Sequence, residues 1–147
     1  MTSINAIFEE CQSRGERLTI QRRLVIEALY TNQCHTTIND IQKHITTHHQ
    51  GQNLPEPTIY RILQWLKDLQ LVSQTDIGNR GVVYEIIGGE PHHHLICLNC
   101  GGIINVDDSL FAGLRQQLND QYQFAPRIEH MAIYGHCPIC ADDQKKL

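Results

Sequence analysis

Midway along the chain runs His92-His93-His94-Leu95-Ile96-Cys97-Leu98-Asn99-Cys100-Gly101, and near its end stands Cys137-Pro138-Ile139-Cys140. Each Cys-x-x-Cys turn lets two sulfurs point at one ion, and two such knuckles complete the tetrahedral four-thiolate set that suits zinc. The competing reading is four unrelated buried thiols or a redox pair. Gly101 behind one knuckle and Pro138 inside the other favour the metal. Cys97, Cys100, Cys137 and Cys140 are therefore expected to hold one structural zinc. Cys11 and Cys34 lack such partners and read as plain thiols, although Cys34 adjoins His35.

The three histidines point to a second, separate chemistry. Imidazole suits zinc, iron, nickel and copper. Three in a row also suit a solvated loop, and a bare histidine tract is weak evidence. In an extended segment alternate residues share a face, so His92 and His94 point together and His93 away. Glu85, on the strand before them, offers a hard oxygen, and His35, after the second helix, another nitrogen. Metal in this chain is thus expected to act both as structural pin and as signal.

A third constellation is basic. Arg14, Arg17, Arg22 and Arg23 fall within ten residues, with only Glu16 opposing. A solvated face is the usual fate of such a run. The net charge of −4 disfavours nucleic acid through global charge, so a local patch would have to attract it. Tyr60 and Arg61, near the start of the fourth helix, have the chemistry to reach bases and phosphates in a major groove. Covering the core is the alternative role for Tyr60.

These residues need elements to position them. Residues 4–13 form a loose helical pattern ending near Gly15. Thr19 can cap a second helix whose apolar face is Ile20, Leu24, Ala28 and Leu29. Thr36-Thr37 open a third with Ile38, Ile41 and Ile45, and Pro55 and Pro57 open a fourth with Ile59, Ile62, Leu63, Leu66 and Leu69. Val72–Asp76 and Val82–Ile87, joined through Gly78-Asn79-Arg80-Gly81, read as a β-hairpin. Helices followed by a hairpin make a winged helix-turn-helix. Gly88-Gly89-Glu90-Pro91 is a natural hinge. Beyond it, Leu95–Val106 predicts two short strands around Cys97. A helix capped by Ser109, with Leu110, Phe111, Leu114 and Leu118 inward, and a strand over Phe124–Tyr134 complete the pattern. The fold expected is α+β, a winged helix over residues 1–88 followed by a small α/β domain over 89–147.

Composition agrees. Of 147 residues, 41% are hydrophobic and 19% charged, which fits a globular chain. No apolar run approaches the roughly 20 residues that span a bilayer, so no membrane role is expected. Met1–Leu18 lacks the apolar core of a signal peptide, which leaves the cytoplasm, where thiols stay reduced and six cysteines read as ligands plus spares.

Together these residues resemble the ferric uptake regulator family of metal-responsive transcriptional repressors, over nearly the whole chain. The resemblance rests on Leu18-Thr19-Ile20-Gln21-Arg22, Pro57-Thr58-Ile59-Tyr60-Arg61-Ile62-Leu63, Tyr84-Glu85, the His92–Gly101 run and Ile133-Tyr134-Gly135-His136-Cys137. It implies a homodimer that metal at the hinge closes onto an inverted-repeat operator in double-stranded DNA. Carried over by position, the regulatory site is His35, Glu85, His92 and His94, with the structural zinc on the four cysteines. Arg17, Arg22, Thr58, Tyr60 and Arg61 fall at DNA-facing positions. The regulatory ion implied is Zn2+ or Fe2+, with Mn2+ a further candidate.

The chain departs from the family at Asn105, where a carboxylate ligand is usual, and at Ala112 and Glu129, where a second metal site usually has a glutamate and a histidine. Four ligands with three imidazoles suit tetrahedral zinc better than five- or six-coordinate iron. Glu129 or His130, with His93, offers a substitute for the second site. The peroxide-sensing branch favours aspartate at positions 85 and 105 and ranks behind. Two readings outside regulation are a zinc-storage protein and a zinc hydrolase using Glu85 as base. Neither a His-Glu-x-x-His helix nor a nucleophile motif supports the hydrolase, so no small organic substrate is expected.

Overall fold

The computed structural model describes residues 3–32, 35–78, 81–88 and 91–145. It divides into two compact units, one of residues 1–74 with 81–89, the other of residues 75–80 with 90–147. Cys34, the Asn79-Arg80 turn and Gly89-Glu90 of the expected hinge lie outside the described residues. No described helix is long and apolar enough to cross a membrane.

The first unit holds α1 (Ile4–Ser13), α2 (Ile20–Asn32), α3 (Ile38–His48), α4 (Glu56–Asp68), β2 (Val82–Ile86) and the start of β1 (Val72–Asp76), the strand that pairs with β2 in a hairpin and whose Thr75 and Asp76 fall in the second unit. Helix starts follow their caps. Ser3 accepts from the Ala6 N–H, Thr19 from the Arg22 N–H, and Thr37 and Asp40 form a reciprocal capping box. Pro57 sits in the first turn of α4, where its missing N–H is not needed. One core joins Leu24, Val25, Ile41, Ile45, Ile59, Leu63, Leu66 and Tyr84. Ile20 is an exception to the expected face of α2: as the helix's first residue it is 69% exposed. The opposite side of α4 carries Tyr60, Arg61 and Gln64 outward.

The second unit is a three-stranded sheet in the order β4-β3-β5, from β3 (His92–Cys97), β4 (Ile103–Asp107) and β5 (His130–Gly135). β3 pairs antiparallel with β4 and parallel with β5. A parallel return needs a crossover, supplied by a 3-10 turn (Asp108–Phe111) and α5 (Ala112–Tyr122); α6 (Pro138–Lys145) follows. Four expectations change here. The histidines lie inside a strand rather than before one. Asp107, not Ser109, makes the cap, accepting from the Ser109 N–H at 2.9 Å. Of the four apolar residues expected inward, Phe111 is buried, whereas Leu110 and Leu114 are 67% and 41% exposed. The last strand starts six residues later than Phe124, because Gln123 ends α5 in the left-handed region and Pro126 has no N–H to pair.

Candidate metal centre

The thiols are positioned by backbone turns. Cys97 ends β3, and its N–H donates to the Gly102 carbonyl while its own carbonyl accepts from Gly101. Gly101, at φ +69°, takes the left-handed conformation that this tight knuckle requires. Cys137 follows β5, and Cys140 lies in the first turn of α6. Parallel pairing of Cys97 with Gly135 therefore brings the second knuckle to the first. All four Sγ atoms lie within 4.8 Å of one another. Cys100 and Cys137 sulfurs are 3.9 Å apart, close to the edge of about 3.8 Å that a tetrahedron with 2.3 Å metal–sulfur bonds demands. Backbone N–H groups of Cys100 and Cys137 aim at Cys97 and pull its thiol down to about 6, towards the thiolate that binds metal. The donor set fits a tetrahedral thiophilic ion.

The histidines are sorted by the pleat. His92 and His94 share one face of β3, and the parallel register sets His130 beside His92. Ring centroids are 5.1 Å apart for His92–His94, 4.8 Å for His92–His130 and 4.7 Å for His94–His130. Each ring offers a nitrogen within 4.8 Å of the others. Asn105, opposite His94 on β4, accepts a hydrogen bond from His94 Nδ1 at 2.8 Å, which leaves Nε2 with its lone pair. Burial lowers the His94 pKa, opposed by the Asn105 bond, and so favours the neutral ring a metal needs. His130 is the ligand candidate the regulatory set lacked.

His93 faces the other way and is fully buried against Phe111, at 4.1 Å between rings. Its Nδ1 accepts from the Met131 N–H at 3.1 Å, and its Nε2–H donates to Asp108 at 2.8 Å. Arg115 grips Asp108 through two nitrogens at 3.0 and 2.6 Å. Arg115, and then His93, hold that carboxyl at about 2. Its contribution to stability is complete above the ordinary 3.8 and is lost only as pH falls through about 2. Glu129 pairs with Arg127 at 2.7 Å. With both ring nitrogens of His93 engaged, the substitute site near His93, Glu129 and His130 is not assembled. Among the described residues the acidic, thiol and imidazole groups gather into two clusters, the cysteines and the one containing His92, His94 and His130. Replacing His93 by Leu should cost about 1–3 kcal/mol, because the Met131 N–H is left without its acceptor. Chemical denaturation of the His93→Leu protein checks this; an unchanged stability with one bound metal lost would instead make His93 a ligand.

The other two expected regulatory ligands belong to the first unit. An isolated antiparallel bridge joins Thr36 to Tyr84, with N–H···O bonds of 3.2 and 2.8 Å. That bridge pairs the chain neighbours of His35 and Glu85. His35 itself has φ +56°, a region that costs a non-glycine residue energy and is held where neighbouring structure imposes it. Of the basic residues, Arg17 is exposed, while Arg22 is committed within the unit: to the Arg17 carbonyl at 2.7 Å, to Glu16 at 3.6 Å and over the Trp65 ring at 3.9 Å. Tyr60 is 52% exposed, Arg61 is exposed with Nε reaching the Pro57 carbonyl, and Thr58 is half-buried.

The model of the ferric uptake regulator family matches residues 13–134. The ferric uptake regulation protein of Campylobacter jejuni is 27% identical over 133 residues, covering 90% of this chain and 85% of its own. The Helicobacter pylori ferric uptake regulator Fur, whose structure is described as revealing three functional metal-binding sites, superposes with a TM-score of 0.68 at 26% identity, over 95% of this chain and 94% of that one. The manganese-bound regulator of Pseudomonas aeruginosa reaches a TM-score of 0.72 at 20% identity, over 89% of this chain and 97% of that one, a likeness of fold. The chain belongs to the ferric uptake regulator family. It is a metal-binding regulator of transcription, not an enzyme.

Proposed function

We propose that the protein is a cytoplasmic, homodimeric repressor of metal-homeostasis genes, closed onto an inverted-repeat operator by one regulatory divalent ion per chain. The observation that carries this reading is the convergence of His92 and His94 on one sheet face, with neutral imidazole favoured at His94. The ion takes His35 and Glu85 from the winged-helix unit and His92 and His94 from the second. A ligand set drawn from two units fixes their relative orientation, which is the differential contact an allosteric account requires. The regulatory ion is Zn2+ or Fe2+, with Mn2+ third, and Zn2+ also fills the cysteine site. Exposed Ile104, Leu110, Leu114 and Ile133 on the second unit supply apolar surface for the partner subunit.

Arg17, Thr58, Tyr60 and Arg61 meet DNA, with Arg22 bracing the Arg17 backbone behind them. Arg61→Ala should weaken operator binding by about 1–3 kcal/mol if it reads a base, or lower the salt slope by about one if it meets phosphate. Fluorescence anisotropy across salt concentrations distinguishes these, and no change in either quantity would remove Arg61 from the interface. The reading as a whole is tested by titrating Zn2+, Fe2+ and Mn2+ into protein and an inverted-repeat probe. Metal binding with no metal-dependent DNA affinity would favour a storage protein.

A further inference from the structure

Asn105 stands where the switch site would want a carboxylate, and its oxygen is turned to His94 Nδ1. That raises the question of which group completes the coordination. We propose that His130 is a fourth imidazole ligand of the regulatory ion, after His35, His92 and His94, aimed by Thr75, and that Asn105 serves instead to fix the His94 tautomer; this rests on the regulatory reading given above.

Three observations carry it. First, His94 Nε2 and His130 Nε2 face each other at 2.7 Å. Two nitrogens on one tetrahedral zinc lie about 3.3 Å apart, so a small parting of the rings admits an ion between them. Second, for neutral rings these bonds assign the protons. Asn105 takes the His94 Nδ1–H, so His94 Nε2 is an acceptor and the shared proton sits on His130 Nε2. Third, His130 Nδ1 lies 2.9 Å from the Thr75 hydroxyl. A hydroxyl both donates and accepts. When metal takes His130 Nε2, the displaced proton is replaced by one on Nδ1, which then donates to Thr75 Oγ1. The metal-free and metal-bound tautomers are thus both satisfied, and His130 need not become charged in either.

His94 and His130 then each have an oriented outer partner, Asn105 and Thr75, as metal-bound imidazoles generally do. A nitrogen-rich set favours zinc or cobalt over iron or manganese.

The test uses the full-length dimer with its cysteine zinc in place. Zn2+ affinity is read by competition with a chelator, and Co2+ is titrated as a spectroscopic probe, since four- and five-coordinate cobalt absorbs more strongly than octahedral. Nitrogen-15 shifts of the imidazoles report the tautomers. Expected are intense cobalt bands, a His130 proton that moves from Nε2 to Nδ1 on metal binding, and a loss of Zn2+ affinity in His130→Ala exceeding the roughly 10–100-fold expected for Thr75→Val, which removes only the outer partner. If His130→Ala folds poorly, Thr75→Val carries the test. Unchanged affinity and an unchanged cobalt spectrum in either variant, with His92→Ala defective, would overturn the role of His130 alone. Unchanged affinity in all three would overturn the regulatory reading beneath it.

Discussion

Cys137→Ser protein is expected to bind no metal at the cysteine site and to lose the second unit's fold, giving monomer-rich, aggregation-prone material. Cys137 follows β5, and its own N–H donates to Cys97 Sγ at 3.4 Å. One replacement therefore removes a corner of the tetrahedron and leaves the knuckles joined by that backbone bond without the ion. Structural zinc contributes folding free energy directly, about 10–16 kcal/mol in small zinc-dependent folds. A large part of a small unit's stability is then at stake, and chelation of wild-type protein under mild conditions should leave the ion in place. Zinc analysis with sedimentation checks it. A stable, zinc-free dimer of the variant would sink the assignment.

The second large effect is the switch. His92→Ala is expected to abolish metal-dependent operator binding while leaving the cysteine zinc and the dimer intact. His92 and His94 lie on the same side of β3, so losing one imidazole removes a neighbour in the same half-site. Because imidazole must be deprotonated to ligate, wild-type metal affinity should fall as pH drops through about 6.5. Burial holds His94 below its ordinary value, so that ring stays neutral further into acid. Operator binding titrated with metal at pH 7.5 and 5.5 measures both. A normal metal response in His92→Ala protein would place the switch elsewhere.

How much of this was legible in the sequence depends on distance along the chain. The helices of the first unit follow local rules: Thr37 with Asp40, Pro57 in a first turn, and leucines at helical spacing. The cysteine knuckles were legible because each pair is only four residues wide. His92 and His94 were separated from His93 by the two-residue period of a strand. His130 was not identified as a partner of His94, 36 positions away. Only the parallel register of β3 with β5 brings them together, and neither composition nor spacing encodes a crossover. The inward face expected for α5 failed for a related reason. Leucine spacing does not name the surface a helix packs against: Leu110 and Leu114 stay exposed, and Arg115 turns to Asp108. Asn105 looked like a missing ligand, and its actual bond to His94 depends on β4 register alone.

β3 carries the histidines at one end and Cys97 at the other, five residues and about 16 Å apart. A strand has only two faces. If β3 slipped by one residue against β5, His92 and His94 would rotate away from His130, and His93 would take their place in front of it. The run of three identical side chains makes that mistake chemically tempting, since the misaligned sheet would still present an imidazole. An ion closed on the four cysteines would forbid it, because Cys97 meets Cys137 only in the observed alignment. Such an ion at the far end of the strand would then act as a proofreading device for one held by the histidines at the near end, without itself taking part in the sensing.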